Sequence, residues 1–372
     1  MSPLRIGVLG AGMIATGAGG VLPNLDPIRD KAEVVAIADV VPGLAAAVAE
    51  RFGIPYAFTS LDAMLSGAEL DAVVNLTPIP VHGETCARIL AAGKHLATEK
   101  PLATTMADAD RICALAAERE LTVVCAPFNM LYPDRAEARR LIQDGAIGKV
   151  AFARVRSSHG GPASGAWPAD PTWFYQKGSG PLFDMGVYGI HEITGILGPA
   201  RRVTAFAGIT EPTRTVRGGP FQGKTIDVTA DDNVLMLLDF GGSTFAVVDG
   251  TFNVNAARGP KLEIYGREGT LNLSGRPFGG DGPPLEIFRL DAIGGLRGWT
   301  APELPDGDAP MRRLIDLHRA VLVDHLADCV ATGTRPLLNP DHARHVLEIM
   351  LKADEAARTG QAQDLTTTFS LS

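Results

Sequence analysis

A strand-like run, Arg5-Ile6-Gly7-Val8-Leu9, leads without a break into Gly10-Ala11-Gly12-Met13-Ile14-Ala15, a G-x-G-x-x-A pattern entering a helix. No other stretch constrains the fold as much. Gly10 permits the tight turn and Gly12 lets the backbone approach a pyrophosphate. Ala15 keeps the helix close to the sheet, so that a positive helix N-terminus faces the phosphates. The pattern alone is a weak signal, because ordinary glycine turns also match it; its place between a strand and a helix is what points to a dinucleotide. The partner acid is Asp39, which closes the run VVAIAD and is placed to bind the adenosine ribose hydroxyls. It lies 29 positions after Gly10, against about 20 in the usual spacing, and extra residues around Pro23–Lys31 account for the difference. A carboxylate there repels a 2′-phosphate, so NAD is preferred over NADP. The other reading of Asp39 is a cap on the next helix.

The first third of the chain continues in the same rhythm. Arg5–Leu9, Val34–Ala38, Ala72–Leu76, His95–Thr98 and Thr122–Ala126 have the length and β-branched, apolar content of buried parallel strands. Helical stretches, Leu44–Phe52, Val81–Ala92 and Ala107–Glu118, alternate with them. Such alternation requires right-handed crossovers and a doubly wound parallel sheet. After Pro133 the pattern changes. A helix over Asp134–Asp144 stops at Gly145. Strands with hairpin spacing follow at Lys149–Ser157, Arg202–Thr210, Asn233–Phe240, Thr244–Phe252, Lys261–Tyr265, Thr270–Leu273 and Leu285–Leu290. They predict a second, α+β domain built on a large, mostly antiparallel open sheet. Helices over Met311–Ala331 and Asp341–Arg358 end the chain. The resulting division is 1–127 for the dinucleotide domain and 128–372 for a substrate and oligomerisation domain. The strand Val234–Leu238 reads VLMLL, apolar on both faces of the pleat. Either a partner subunit or a second internal layer would cover the outer face.

Composition removes several classes of function. The 372 residues are 46% hydrophobic and 20% charged, with a net charge of −8, which suits a folded globular chain and excludes disorder. No Lys/Arg-rich run offers an electrostatic basis for nucleic acid or an anionic membrane. No apolar run approaches a membrane span, and the N-terminus lacks the pattern of a signal peptide, so a cytoplasmic protein is expected. Cys86, Cys113, Cys125 and Cys329 have no metal or disulfide spacing. The histidines at 318, 325, 342 and 345 are not joined by a carboxylate or cysteine cluster, and His191-Glu192-Ile193-Thr194-Gly195 is not H-E-x-x-H, so no metal is expected.

The chemistry-bearing residues fall in two places. Glu99-Lys100-Pro101-Leu102-Ala103 follows the fourth predicted strand, and ligands of open α/β sheets bind beyond the carboxyl ends of strands. A lysine there can hydrogen-bond a substrate oxygen and stabilise charge on it; a surface Lys–Glu pair is the competing reading. In the loop Asp170–Tyr175, Trp173 and Tyr175 either stack on the apolar face of a sugar or pack beneath the loop.

With these features the chain resembles the Gfo/Idh/MocA family of oxidoreductases, the group named for glucose–fructose oxidoreductase and inositol dehydrogenase. The resemblance runs nearly the whole length. It rests on the GAGMIA fingerprint, Asn75-Leu76-Thr77-Pro78 with His82, EKPLA, Asp184-Met185-Gly186-Val187-Tyr188-Gly189-Ile190-His191, and IYGREGTLNL over Ile264–Leu273. It implies a Rossmann domain whose cofactor-binding residues are Gly10, Gly12, Met13, Ile14, Asp39, Thr77, Pro78, His82, Glu99 and Lys100. It implies Lys100 as the catalytic lysine, Asp184 as the substrate-binding aspartate and Tyr188 as the general acid/base. The commoner residue at that last position is His. A phenol has a reference pKa near 10 and acts as a base only where a cation lowers it, so Tyr188 and Lys100 both stand as the base. His191, seven residues after Asp184, either binds substrate or is a buried structural histidine. The resemblance implies an NAD-dependent oxidoreductase acting on a secondary hydroxyl of a sugar, cyclitol or related polyol, and the apolar strands Val234–Leu238 and Phe245–Val248 predict a homodimer or homotetramer paired through the second domain's sheet. An NAD-dependent glycosidase using transient oxidation and a non-catalytic dinucleotide-binding regulator are the alternatives.

Overall fold

A computed structural model describes residues 2–274, 282–293, 296–305 and 307–371. The chain divides into two compact units, one of Met1–Tyr132, Asp308–Leu347 and Ser370–Ser372, the other of Pro133–Gly307 and Glu348–Phe369.

The first unit is built on strands β1 (Leu4–Leu9), β2 (Ala32–Ala38), β3 (Tyr56–Phe58), β4 (Ala72–Asn75), β5 (His95–Thr98) and β6 (Val123–Cys125). They form one parallel sheet in the order β3-β2-β1-β4-β5-β6, the doubly wound arrangement with its switch point between β1 and β4. Ile6, Val8, Val73, Val74, Leu96 and Ala97 are fully buried, which is why these strands read as continuous apolar runs. The short edge strand β3, with Tyr56 exposed, carries too little pattern to be expected from sequence. Helix α1 (Met13–Thr16) is only four residues long, and two 3₁₀ turns, Leu22–Asn24 and Asp26–Ile28, fill the way to β2. These turns are the extra residues between Gly10 and Asp39. The crossovers are α2 (Leu44–Phe52), α3 (Leu61–Gly67), α4 (His82–Ala91) and α5 (Met106–Glu118). Ser60 and Thr105 cap α3 and α5, accepting from the backbone N–H of Ala63 and Asp108.

Two expectations need correction here. The opening segment of the first unit ends at Tyr132, near the expected 127, but Asp308–Leu347, expected in the second domain, also packs with it. The apolar face of α9 (Val321–Thr332), with Val321, Leu322, Val323 and Leu326 buried, lies against β5 and β6. Asp324 on that helix pairs with Lys31 (2.7 Å) and Arg313 (2.8 Å), and the Cys125 N–H donates to the Leu338 carbonyl. The helix expected over Met311–Ala331 is also two helices: α8 (Ala309–Leu317) stops at His318, whose φ of +46° takes the chain out of the right-handed helical region before α9 begins.

The second unit opens with α6 (Pro133–Gln143) and centres on a nine-stranded sheet. Its strands are β7 (Val150–Arg156), β8 (Arg202–Gly208), β11 (Asn233–Gly241), β12 (Thr244–Thr251), β13 (Leu262–Gly266), β14 (Gly269–Leu273), β15 (Leu285–Ile293), β16 (Leu296–Thr300) and β17 (Gln363–Asp364), with β9 (Thr213–Thr215) and β10 (Thr225–Asp227) forming a separate ribbon. Pairing is antiparallel except between β7 and β12. A π-helical turn, Leu182–Gly186, runs into α7 (Val187–Leu197), which lies against β7 and β12. The last helix is α10 (Pro340–Thr359). A buried ion cluster ties α6 to α7 and β13. Arg135 bonds Asp134 and Glu192 (2.8 Å to Oε1), and Lys261 meets Glu192 Oε2 at 2.9 Å. Burial acts to raise the Glu192 pKa, but Lys261 and Arg135 hold it at about 2. Among the described residues no helix is long and apolar enough to cross a membrane.

Candidate active site

The first unit gathers its functional residues at the carboxyl ends of β1, β2, β4 and β5. Gly10 takes φ +99°, and a Cβ there would stand 2.8 Å from the Leu76 carbonyl oxygen. At Gly12 a Cβ would meet no atom within 4 Å. The turn is therefore closed toward the sheet and open on its outer side, where a pyrophosphate fits against the backbone. Asp39 sits beside it, Oδ2 accepting from the Ala11 N–H and Oδ1 from the Val41 N–H, both at 2.8 Å. A shallow, open depression adjoins Asp39, lined by Val41, Phe58 and Thr59 among others, with no lysine or arginine in its wall. The residues present fit a dinucleotide without a 2′-phosphate.

The ends of β4 and β5 are braced to each other. Asn75 Oδ1 accepts from the Thr77 hydroxyl (2.7 Å), and the buried His82 ring bridges the carbonyl oxygens of Thr77 (2.8 Å) and Pro101 (2.7 Å). His82 thus acts as a strut between the two loops that carry Thr77-Pro78 and Lys100. Glu99 Oε2 accepts from the Lys100 N–H, and Glu99 Oε1 accepts from Arg319 Nε (3.2 Å), whose Nη1 also donates to the Gly19 carbonyl. Arg319 was invisible to sequence reasoning: it stands 220 positions from Glu99 in a segment that looked like part of another domain.

In the second unit Asp184 lies in the π-helical turn and Tyr188 in the first turn of α7, so one continuous helical run carries both. Such π segments recur at functional sites. The start of α7 is pinned to the end of β7 by Ser157, whose hydroxyl donates to the Met185 carbonyl and accepts from the Gly189 N–H (3.0 Å). Gly189 is required by that approach, since a Cβ would stand 2.8 Å from the Ser157 Cβ. His159, two residues past Ser157, places Nε2 3.9 Å from Asp184 Oδ2. The sequence reading passed over His159, whose loop carries no metal or catalytic pattern.

The aromatic loop residues separate. Tyr175 is buried, its hydroxyl accepting from the Ala163 N–H and its ring packed on Phe252 (5.4 Å between centroids) within a cluster that includes Val216, Ile226 and Val228. That corrects its reading as a sugar-stacking ring: a phenol enclosed by its own loops has no face to offer. Trp173 remains 37% exposed. His191 is buried on the core side of α7, and that burial pushes its imidazole down to about 4, which agrees with the packed reading of this residue.

A switch-point sheet with an open glycine turn and an acid facing it defines a nucleotide-binding Rossmann unit, and comparison with known proteins names the rest. Residues 4–126 match the oxidoreductase family model with an NAD-binding Rossmann fold, and residues 136–272 match the GFO/IDH/MocA C-terminal domain. The chain belongs to the Gfo/Idh/MocA oxidoreductase family and binds NAD through its first unit. It is 28% identical to levoglucosan dehydrogenase of Pseudarthrobacter phenanthrenivorans over 296 residues, 73% of each chain. To inositol 2-dehydrogenase of Rhizobium meliloti it is 28% identical over 300 residues, 77% of this chain and 82% of that one. Among solved structures, an NAD binding oxidoreductase from Klebsiella pneumoniae superposes with a TM-score of 0.83 at 21% identity, covering 98% of this chain and all of the other. At that identity the likeness speaks for the fold alone.

Proposed function

We propose that this protein transfers hydride between NAD and the carbon bearing a secondary hydroxyl of a sugar, cyclitol or related polyol. The observation that carries the reading is Lys100 at the carboxyl end of β5, its loop braced by Glu99 and the His82 strut, in a family whose relatives above are named dehydrogenases of a sugar derivative and a cyclitol. NAD supplies the hydride acceptor when bound. Lys100 donates a hydrogen bond to the reacting oxygen and stabilises the negative charge that grows there. Asp184 accepts from a neighbouring hydroxyl, and Tyr188 carries the hydroxyl proton. Trp173 offers an exposed ring to the apolar face of the substrate. The test is a screen of sugars, inositols and aryl glycosides with NAD, following reduced cofactor and released aglycone together. Reduced cofactor without aglycone is expected. Aglycone without net reduction would replace this reading with redox-assisted glycoside cleavage, and binding of NAD with neither product would replace it with a regulator.

The same proposal includes a homodimer or homotetramer in the cytoplasm. Support for assembly comes from the outer face of the nine-stranded sheet, where Phe206, Leu235, Leu237, Phe245 and Val247 are exposed side by side. Four cysteines outside any disulfide suit a reducing compartment.

A further inference from the structure

We infer that His159 is a substrate-reading residue: its Nε2–H and the Asp184 carboxylate together hold one substrate hydroxyl, the imidazole donating to its oxygen and Asp184 accepting its proton. The inference rests on the proposed polyol substrate and goes further, in naming a second residue at the aspartate and the chemical group the pair selects.

The argument starts from the local sequence Ser158-His159-Gly160-Gly161. Gly161 has φ +82°, and a Cβ on it would collide with the Tyr175 hydroxyl; a Cβ on Gly160 would stand 2.7 Å from Ser164 Oγ. Only two glycines allow this turn. The turn aims the Gly161 N–H at His159 Nδ1, 2.8 Å away. An Nδ1 that accepts from a backbone N–H carries no proton, so in the neutral ring the proton is on Nε2. The ring packs against Phe252, 5.3 Å between centroids, and the preceding residue, Ser158, is anchored by its hydroxyl, which bonds Asp249 and accepts from the Thr251 N–H. Its side chain is still 40% exposed, so a ligand can reach it, while Asp184 is 19% exposed.

The separation of Nε2 and Asp184 Oδ2, 3.9 Å, is too long for a hydrogen bond. One oxygen placed about 2.8 Å from both would subtend an angle of roughly 90°, within the range a hydroxyl accepts. A hydroxyl can accept from the imidazole and donate to the carboxylate at the same time. A ketone or carboxylate oxygen can do only the first, and it would face Asp184 with no proton between them. The pair therefore selects a hydroxyl over a carbonyl or acid at this position. With the reacting carbinol this makes the substrate at least a diol. His159 is not a base in this arrangement, because taking a proton on Nε2 would require Nδ1 to carry the other and lose the Gly161 bond.

The experiment titrates NAD-saturated wild type and His159→Phe with myo-inositol, D-xylose and levoglucosan and with the monodeoxy derivatives of each. Phe retains the stacking on Phe252 and removes the donor. Expected is a Kd about tenfold higher for a parent polyol in His159→Phe, with one monodeoxy derivative, the one lacking the bridged hydroxyl, binding both proteins equally. An equal penalty across all derivatives, or less than twofold on the parent, overturns the inference and leaves the proposed function standing. A wild type that binds none of the three polyols overturns the proposed substrate class and this inference with it. Nitrogen-15 spectra of the wild-type histidine rings give a readout free of any folding defect in the variant. The His159 proton is expected on Nε2, with that nitrogen shifting when the polyol is added; a proton on Nδ1 overturns the assignment.

Discussion

The two sheets of this chain treat apolar residues differently. In the parallel sheet β1, β4 and β5 are buried along nearly their whole length, and their apolar runs are explained by their own helices. In the nine-stranded sheet burial alternates. Val234, Met236 and Leu238 of β11 are buried while Leu235 and Leu237 between them are exposed, and in β12 Ala246 and Val248 alternate with exposed Phe245 and Val247. Phe206 of β8, 85% exposed, pairs in register with Leu235. Two strands can thus be equally apolar in sequence and differ in what covers them. Folding of the single chain accounts for the first sheet and for one face of the second. The other face is left exposed, and the proposed assembly would cover it.

The strongest way to break this comparison is to charge the bare face. Phe206→Asp with Leu237→Asp places two carboxylates on it without touching the inner layer. If copies of the chain pair there, each charge loses its hydration in the interface and association weakens by about 10³ or more. Light scattering should then give a 39.1 kDa particle where the wild type gives a multiple of it. A wild type that is monomeric at micromolar concentration, or a variant that still assembles, would show that this face has another use.

Next in size is the effect of the proposed catalytic lysine, Lys100, which tests whether the first unit contributes chemistry as well as cofactor binding. Lys100→Met should lower kcat by about 10² or more and leave NAD affinity nearly unchanged, because the lost hydrogen bond strengthens only as charge develops on the oxygen. Near wild-type kcat in that variant would remove the mechanism. Tyr188→Phe tests the second unit in the same terms. A comparable fall in kcat, with a changed alkaline limb of the pH profile, marks Tyr188 as the proton carrier. A loss of about tenfold or less, mainly in KM, marks Lys100 as the base.

A third difference is in acid stability. Burial lowers His191 to about 4, against roughly 6.5 for the unfolded chain. Between those values the unfolded state binds a proton that the native state does not, so stability is complete above about pH 6.5 and falls as the pH drops toward 4. The loss should be about 3 kcal/mol. Glu192 contributes in a lower window, from the ordinary glutamate range down to about 2, so the two separate. Urea unfolding of wild type and His191→Gln from pH 7 to pH 4 should give a clearly shallower pH dependence in the variant; equal slopes would count against the burial argument.

What was legible in the sequence follows the same division. The glycine turn, Asp39, Thr77-Pro78 and Glu99-Lys100 could be found because each occupies a short segment at the end of a strand, and strand order alone brings such segments together. The packing of Asp308–Leu347 with the first unit could not be found, because Lys31–Asp324 and Glu99–Arg319 join residues more than 200 positions apart. In the second unit the resemblance pointed to Asp184 and Tyr188, and their i, i+4 spacing placed them on one helical run. His159 is brought near it by a β7 strand and a glycine turn whose purpose is steric, and no periodicity marks that. The sequence left two readings of Tyr175 open for a related reason: an aromatic in a loop shows its composition, but not which neighbouring loop closes over it.

The smallest expected effect is in cofactor choice, and it bears on the part of the molecule read with least difficulty. Asp39 holds the glycine turn through the Ala11 N–H and faces a depression with no cationic residue in its wall. A 2′-phosphate would meet that carboxylate without compensation, so NAD should bind at least about tenfold more tightly than NADP, a difference of about 1.4 kcal/mol. Asp39→Asn removes the charge, keeps an acceptor for Ala11 while giving up the one for Val41, and should narrow the ratio mainly by improving NADP. If the ratio narrows because NAD weakens while NADP stays constant, then Asp39 acts through ribose hydrogen bonds and the repulsion is minor. Calorimetric titration of both cofactors into both proteins separates the two terms. Equal affinities in the wild type would sink the role given to Asp39, and with it the claim that the first unit's specificity can be read from one residue at the end of β2.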